Sequence, residues 1–306
     1  MMKLGYYPGC SLKGGSREYK ESVVAMAKAF DIDLVEIPDW NCCGATAAHN
    51  LNKDLALSLP ARILAIAERE GMQDIVVPCA ACYSRLTVTQ HELNGDAALK
   101  GRIASVVGME VKGTTQILNV VQFIQKYIAD KIAEKTVKPF NYKVACYYGC
   151  LLVRPHDILK FDRVEDPQSM DELVKTVGGE PIDWAFKTEC CGAGMSVSRT
   201  DIVARLSGGI VEDAYDRGAE AIVVACPMCH SNLDMRRKEI NKFLDKKIDI
   251  PVLYLSQVIG LAAGVGYKEL GLQRHMVKVD LPEKPEPVET SPEQPKKVLT
   301  VQEEEA

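Results

Sequence analysis

Cysteines in two matching groups carry the most evident chemistry of this sequence. The stretch "NCCGA" occupies residues 41–45, and "ECCGA" occupies residues 189–193. Neighbouring α-carbons lie about 3.8 Å apart, which is less than the roughly 4.4–6.8 Å that unstrained disulfides span. We therefore expect the two sulfurs of each pair to bind a shared third object rather than each other.

Each pair belongs to a set of five cysteines with the same order and similar spacing. The two sets are Cys10-x31-Cys42-Cys43-x35-Cys79-x2-Cys82 and Cys150-x39-Cys190-Cys191-x34-Cys226-x2-Cys229. A structural zinc ion and a cubane iron–sulfur cluster each take four ligands, so one thiolate is surplus in either case. One cysteine of each pair could be a small buried hydrophobe. The same surplus in both sets favours instead a cluster that uses five thiolates and opens beyond the cube.

An internal duplication explains the two sets. Residues 54–86 align with residues 201–233 without gaps, and Gly71 matches Gly218. Upstream, "YYPGC" ending at Cys10 matches "CYYGC" ending at Cys150. A repeat of about 140 residues is the size of a domain rather than of a solenoid turn.

Short apolar runs alternate with helical patterns in both halves. "KLGYYPG", "DLVEIP" and "DIVVP" predict strands, and helical spacing covers 17–30, 60–71, 115–134 and 200–217. Such alternation predicts an α/β fold of two pseudo-symmetric, cysteine-rich domains with Rossmann-like βαβ units. The cysteines then lie at the carboxyl ends of strands, where parallel sheets build their sites. We expect domains at 1–140 and 141–278, and a Pro/Glu-rich tail at 279–306 that is disordered or serves for docking.

Composition excludes several classes of function. The 306 residues have a net charge of −5 and 6% aromatic residues, which provides no footprint for nucleic acid. No signal peptide and no stretch of 18 or more uncharged apolar residues is evident. We expect a cytoplasmic protein without stable membrane insertion, in a compartment that keeps thiols reduced. Because no G-x-G-x-x-G follows the first strand, electrons are expected to come from partners.

The remaining candidates are weaker signals. "CPMCH" fits a haem-attachment motif, but the matching "CAACY" of the first half does not. Cys146 would lie roughly 13 Å from Cys150 on an extended strand, which favours a core position. His230 is expected either on a helix surface or next to a cysteine ligand, which it would orient without binding the metal itself. Lys13 and Arg154 follow the first cysteine of each half and are candidate ligands of an anionic substrate, or else ordinary solvated bases.

The duplicated pattern resembles the CCG domains of heterodisulfide reductase, and residues 1–265 resemble the B subunit of that enzyme. This resemblance implies two noncubane [4Fe-4S] clusters, each held by the five cysteines of one set. It implies a catalytic component that reduces the coenzyme M–coenzyme B mixed disulfide of methanogenesis to two thiols. The implied partners are the A subunit, which carries flavin and iron–sulfur clusters, the iron–sulfur C subunit, and a hydrogenase or formate dehydrogenase module.

Two other functions stay open. Related CCG proteins are electron-transfer subunits in lactate or glycolate oxidation, in sulfur oxidation, or in quinone-linked complexes, and a structural zinc scaffold is a third possibility.

Reducing a disulfide takes two electrons, whereas an iron–sulfur cluster ordinarily supplies one. Two clusters that face each other across the domain interface would together supply both electrons without any obligatory acid–base residue.

Overall fold

A computed structural model describes residues 1–46 and 48–281, so the predicted tail at 279–306 lies almost wholly outside the described residues. Within these residues, eight strands form two four-stranded sheets. The first sheet contains β1 (Met2–Tyr6), β2 (Ile32–Glu36), β3 (Asp74–Val76) and β4 (Gln116–Leu118). The second contains β5 (Lys143–Tyr147), β6 (Glu180–Pro181), β7 (Ala221–Val224) and β8 (Val252–Tyr254).

Helices connect and cover the strands. They are α1 (Gly9–Lys13), α2 (Arg17–Ala29), α3 (Ala48–Leu51), α4 (Lys53–Arg69), α5 (Ala80–Gly95), α6 (Ala97–Val107), α7 (Val120–Tyr127), α8 (Ala129–Lys135), α9 (His156–Leu159), α10 (Ser169–Thr176), α11 (Thr200–Asp216), α12 (Pro227–His230), α13 (Arg237–Leu244) and α14 (Leu255–Ala262). None of the helices within the described ranges has the length and apolar character of a membrane-spanning helix.

Both sheets are parallel and have the same topology. Their strand orders are β2-β1-β3-β4 and β6-β5-β7-β8. In each sheet the chain first moves outward from the opening strand and then crosses to its other side, so the strand order reverses beside β1 and beside β5. Such a reversal leaves a crevice at the carboxyl ends of the strands. The predicted duplicated α/β fold is confirmed.

Two predicted helices differ from the observed ones in instructive ways. The stretch predicted as helix over 115–134 contains β4 before α7 begins, and Asn119 separates them with a capping box to Gln122. Helix α4 begins at Lys53, seven residues before the predicted start, because the Asn52 side chain accepts a hydrogen bond from the Leu55 amide. Pro60 therefore lies inside α4, whereas the apolar spacing predicted a helix only from residue 60 onward.

The two halves meet through reciprocal helix contacts. Helix α2 of the first half packs on α14 of the second, and α10 of the second half packs on α7 of the first. At the first of these contacts, the rings of Tyr19 and Tyr254 stack with centroids 3.9 Å apart. Nearby, the hydroxyls of Ser22 and Ser256 share a buried hydrogen bond of 2.7 Å. Ring stacking and apolar burial thus fix the position of one half against the other.

A buried ion pair orders the loops of the second half. The Lys187 ammonium lies 3.1 Å from Asp171 and 2.9 Å from Asp166, and the side chains of Lys187 and Asp171 are only 2% and 5% exposed. The Lys187 carbonyl accepts hydrogen bonds from the amides of Tyr148 and Gly149. The segment that leads to Cys190 is thereby attached to the segment that leads to Cys150.

We predict that Lys187→Met destabilises the protein by about 3–5 kcal/mol, because removing one partner of a buried ion pair leaves the other charge uncompensated. Urea denaturation followed by circular dichroism measures this change. Lys143→Met is the matched control, since Lys143 forms an exposed pair with Glu180 at 3.5 Å and such pairs contribute at most about 1 kcal/mol. Equal destabilisation by the two variants would contradict the assigned role of Lys187.

Candidate metal centre

The ten predicted cysteines lie at or beyond the carboxyl ends of strands. In the first half, Cys10 lies in α1 directly after β1, the adjacent pair follows β2, Cys79 caps α5, and Cys82 lies in its first turn. In the second half, Cys226 likewise caps α12, and Cys229 lies within it. The switch point of each sheet therefore brings together residues that are far apart in sequence.

Matching sulfur contacts occur in the two halves. The Sγ atoms of Cys43 and Cys82 lie 3.2 Å apart, and those of the equivalent Cys191 and Cys229 lie 3.7 Å apart. One residue of each adjacent pair thus points into its set, next to the second cysteine of the C-x2-C motif. Cys43 and Cys191 are buried, whereas Cys42 and Cys190 are exposed.

The two sets also interact with each other. The Cys226 thiol is the main cause of a raised pKa at Cys79. In turn, Cys229 and then Cys79 lower the pKa of Cys226. Because both residues are buried, this interaction across the domain boundary is shielded from solvent. The sets are therefore adjacent at Cys79 and Cys226.

Hydrogen bonds between neighbouring thiols favour ionisation of one thiol of a pair and oppose ionisation of its partner. Hydrogen bonds from Cys42 and then Cys82 lower the pKa of Cys43 to about 3. A hydrogen bond from Cys150 lowers the pKa of Cys190 to about 6. The same contacts raise the pKa of Cys42 and of Cys150. Each contact therefore favours one thiolate, which is the form of cysteine that binds metal.

Two glycines leave room for the sulfurs. Gly9 and Gly149 have φ angles of +64° and +68°, and a Cβ at these positions would lie 3.1 Å from the Sγ of Cys82 and 2.9 Å from that of Cys229. A left-handed backbone favours glycine, and the sulfur approach adds a second requirement. The turn after the first strand of each half is therefore shaped around a cysteine.

The first set surrounds a cavity of about 420 Å³ that extends between the halves, here named the interdomain cavity. All five cysteines of the first set line it, and the second half contributes Leu151, Met228 and the loop residues Ala193, Gly194, Ser196, Val197 and Ser198. Much of the lining is apolar. Among the described residues that line the cavity, the cysteines all belong to the first set. The cavity is large enough for a small molecule, and the meeting of two sites in it stays a prediction.

The donor set fits a polynuclear group better than a single ion. Within residues 1–46 and 48–281, no three His, Cys, Asp or Glu side chains converge closely enough to ligate one metal ion. The five thiols of the first set instead line the interdomain cavity together. Iron–sulfur clusters are held by several cysteine thiolates around a group of metal and sulfide atoms, and this arrangement suits them.

The predicted basic residues lie elsewhere. Lys13 pairs with Glu36 at 2.8 Å. Arg154 donates to both carboxylate oxygens of Glu165 at 3.0 Å. Neither Lys13 nor Arg154 is among the described residues that line the interdomain cavity, so their role in substrate binding stays a prediction.

Arg85 lines the cavity, and the sequence reasoning missed it. A signal was present, because Arg85 follows Cys82 by three residues on α5 and residues at that spacing share a helix face. Proximity to the first cysteine of each half is a poorer criterion, since it selects side chains that the fold engages in surface ion pairs.

Two other sequence candidates occupy the core. Cys146 is fully buried in β5, and its carbonyl accepts a hydrogen bond from the Trp184 indole. His230 was expected on a helix surface or behind the site, and the surface position is wrong because the residue is 2% exposed. Its ring stacks on Tyr254 at 4.3 Å, and Nε2 contacts the Val252 carbonyl.

Comparison with known proteins matches residues 4–87 and 144–234 to a cysteine-rich domain designated CCG. The chain belongs to the CCG cysteine-rich domain family. Because the domain matches twice, the predicted duplication is confirmed. The two matches include all ten cysteines of the two sets.

Several CCG relatives align along most of this chain. The 8-methylmenaquinol:fumarate reductase membrane anchor subunit of Wolinella succinogenes is 32% identical, over 90% of this chain and 97% of the relative. The B subunit of the ferredoxin/F420H2-dependent CoB-CoM heterodisulfide reductase of Methanosarcina acetivorans is 30% identical, over 91% of this chain and 95% of the relative. The predicted resemblance to the B subunit is confirmed, and iron–sulfur clusters are implied for the cysteine sets.

A solved structure has the same fold. The crystal structure of a hypothetical protein from Helicobacter pylori superposes with a TM-score of 0.75 at 13% sequence identity. The superposition covers 91% of this chain and 52% of that chain. At this identity the likeness concerns the fold alone.

A single tyrosine hydroxyl bridges the two sets. Tyr19 Oη lies 3.3 Å from the Pro78 carbonyl and 3.2 Å from the Ala225 carbonyl, so its one hydroxyl hydrogen is shared between the carbonyls directly before Cys79 and Cys226. Tyr19 is fully buried. Since one hydroxyl serves both acceptors, it holds the two C-x2-C segments at a set separation.

Removing that hydroxyl should loosen both segments. We predict that Tyr19→Phe speeds amide hydrogen exchange in peptides covering 77–84 and 224–231 by roughly tenfold, because a buried hydrogen bond contributes about 1 kcal/mol or more. Mass spectrometry measures the exchange. Tyr254→Phe is the control, since its hydroxyl bonds to Glu18 at 3.1 Å and the ring stack survives in both variants. Unchanged exchange in Tyr19→Phe would refute the bridging role.

The glycine turns provide a test of the two sites separately. We expect Gly9→Ala to lower the iron bound by the anaerobically reconstituted chain by about half, because the new methyl group displaces the Cys82 sulfur and disturbs one of two sets. Gly149→Ala should do the same for the other set. Iron analysis measures the loss.

Gly71→Ala and Gly218→Ala are the matched controls. Both residues have positive φ angles, of +71° and +77°, but a Cβ there would meet nothing within 4 Å. They should lose about 1–2 kcal/mol of stability and keep their iron. If they lost as much iron as Gly9→Ala and Gly149→Ala, backbone strain rather than the approach to sulfur would be the cause.

Proposed function

We propose that this chain is a CCG-type electron-transfer subunit of the kind represented by the B subunit of heterodisulfide reductase, and that a small-molecule disulfide is reduced in its interdomain cavity. One observation carries the proposal. All five thiols of the first set line a cavity that the second half closes, and the two sets are adjacent at Cys79 and Cys226. A disulfide in this cavity would contact the first set directly, and the second set would be coupled to it through the neighbouring Cys79 and Cys226.

Each set of five cysteines would hold one noncubane [4Fe-4S] cluster. The ligands are Cys10, Cys42, Cys43, Cys79 and Cys82 in the first half, and Cys150, Cys190, Cys191, Cys226 and Cys229 in the second. Bound there, the clusters supply electrons one at a time. The exposed Cys42 and Cys190 give each set a side open to the surroundings, whereas Cys43 and Cys191 are fixed in the interior.

The chemistry balances with two electrons and two protons. A disulfide RS–SR′ takes up two electrons as its S–S bond breaks, and the two thiolates take up protons to leave as RSH and R′SH. An external iron–sulfur or flavin partner supplies the electrons. Each of the two sites holds one electron at a time and must be reduced again by the partner. Solvent supplies the protons, because it reaches the cavity beside Val197, which is 96% exposed.

Similarity to the B subunit supports membership of a heterodisulfide reductase complex. The electron donors would then be the A subunit with its flavin and iron–sulfur clusters and the iron–sulfur C subunit, fed by a hydrogenase or formate dehydrogenase module. The mixed disulfide of coenzyme M and coenzyme B is the corresponding substrate. The cavity's mixture of apolar residues and one cation suits a small anionic molecule of this type.

A quinone-linked electron-transfer role is the second candidate. Its support is the 32% identity to a component of a menaquinol:fumarate reductase. Leu151 and Val197 at the cavity are 42% and 96% exposed, and apolar side chains of this kind also suit a quinone ring. In this function the chain relays electrons and no thiol product forms.

A pair of cysteine variants tests the main proposal. The anaerobically prepared wild type should contain about eight irons per chain and should reduce the coenzyme M–coenzyme B disulfide with a reduced low-potential dye as electron donor. Cys226→Ala should keep about half the iron and lose disulfide reduction, because one site alone supplies one electron. Cys146→Ala is the matched control and should retain both properties, since Cys146 is likewise buried but belongs to neither set of five cysteines.

Two results decide against disulfide reduction. Undiminished turnover by Cys226→Ala holding only one cluster would refute the two-site mechanism. A fully iron-loaded wild type that oxidises or reduces a short-chain menaquinone analogue with the dye, but leaves the disulfide intact, would favour the quinone-linked role.

A further inference from the structure

Arg85 is a cation without an acid partner in the interdomain cavity. It is half-buried on α5, and no carboxylate among the described residues pairs with it. Of the described residues that line the cavity, it alone carries a basic or acidic side chain other than the cysteines. Arg85 follows Cys82 by three residues on α5 and lines the same cavity as the five thiols of the first set.

The duplicated position in the second half has a different task. Aligning "CAACYSRL" (79–86) with "CPMCHSNL" (226–233) matches Arg85 with Asn232. Asn232 is buried in a π-helical turn, where Nδ2 donates to the Cys191 carbonyl at 2.9 Å and Oδ1 accepts from the Ser196 hydroxyl at 2.7 Å. Its amide therefore braces the loop of the second adjacent pair.

The contrast shows that this position can support the fold without a charge. Asn232 uses its hydrogen-bonding capacity on its own loop, whereas none of the five donors of Arg85 has a recorded partner within residues 1–46 and 48–281. A half-buried guanidinium with free donors is suited to a carboxylate, sulfonate or phosphate, which it can bind in a bidentate manner. The other described side chains around it, such as Ser11, Thr46 and Asn50, are neutral and can accept or donate further hydrogen bonds.

We propose that Arg85 is a specificity-determining residue that binds an anionic group of the substrate and so orients the substrate's sulfur toward the first cysteine set. This inference rests on the proposed function, because it concerns the disulfide or thiol that enters the same cavity. The anion lies on the side of the first half. The remainder of the substrate then extends toward the apolar Leu151, Val197 and Met228 of the second half.

Thiols that differ only in end group test this proposal. The probes are 2-mercaptoethanesulfonate, 3-mercaptopropionate, neutral 2-mercaptoethanol and cationic 2-aminoethanethiol, each added to the oxidised, iron-loaded full chain. Isothermal titration calorimetry measures affinity, and electron paramagnetic resonance detects binding near the metal site. We expect the anionic thiols to bind wild type more tightly than the neutral and cationic ones, and Arg85→Gln to weaken only the anionic thiols, by roughly tenfold or more.

Matched variants separate charge from folding. Arg85→Lys keeps the positive charge and should restore part of the preference for anions. Arg69→Gln makes the same substitution at an exposed residue that is not among the described cavity-lining residues, and it should bind every probe as wild type does. If Arg85→Gln fails to load iron, competition in wild type decides, since acetate, methanesulfonate and phosphate should then displace the anionic thiols and show which anion Arg85 prefers.

The outcomes separate the role of Arg85 from the proposed disulfide reduction. Equal weakening of anionic and neutral thiols in Arg85→Gln, or no weakening at all, would overturn the role of Arg85 while leaving disulfide reduction intact. In that case the neutral thiols still bind and alter the resonance spectrum. If wild type binds no thiol of any charge, the proposed function fails, and the inference fails with it.

Discussion

The convergence of five thiols at one sheet edge is the constraint on which the rest of each half depends. A parallel sheet ends all of its strands at the same edge, and reversing the strand order beside the first strand opens a crevice there. Cysteines that follow three successive strands are therefore neighbours in space, although up to 79 residues separate the first from the last in the second half and 72 in the first. Glycine at positions 9 and 149 then permits the close approach of sulfur to backbone.

The connection between the halves follows from the same requirement. The contact between the halves brings both sets close together, and the C-x2-C segments are the parts that meet. Tyr19 holds the carbonyls of residues 78 and 225 with one hydroxyl, and its ring stacks on Tyr254 from the other half. The interface that buries these aromatic rings thus also sets the separation of the two candidate centres.

Much of this arrangement is predictable from sequence because it repeats. The duplication, the parallel α/β class and the grouping of the cysteines follow from spacing and from the alternation of strands and helices. The start of α4 was missed because it is set by a local cap at Asn52, which the apolar spacing used for the prediction does not show. Arg85 was missed because sequence distance from a cysteine does not show which side chains the fold pairs with carboxylates. Lys13 and Arg154 pair with Glu36 and Glu165, whereas Arg85 has no carboxylate partner in the part of the chain that the structure describes.

The reciprocal contacts of α2 with α14 and of α7 with α10 have the pattern of an isologous dimer interface, in which a patch on one copy meets the same patch on the other. Two unlinked copies of such a half could associate in this manner, but every residue would then occur on both sides of the two-fold axis. Joining the copies in one chain removes that restriction. Position 85 can carry a guanidinium while position 232 carries an amide. The pseudo-symmetric scaffold thus has a cavity whose two sides differ chemically, so the two ends of an unsymmetrical molecule would meet different residues.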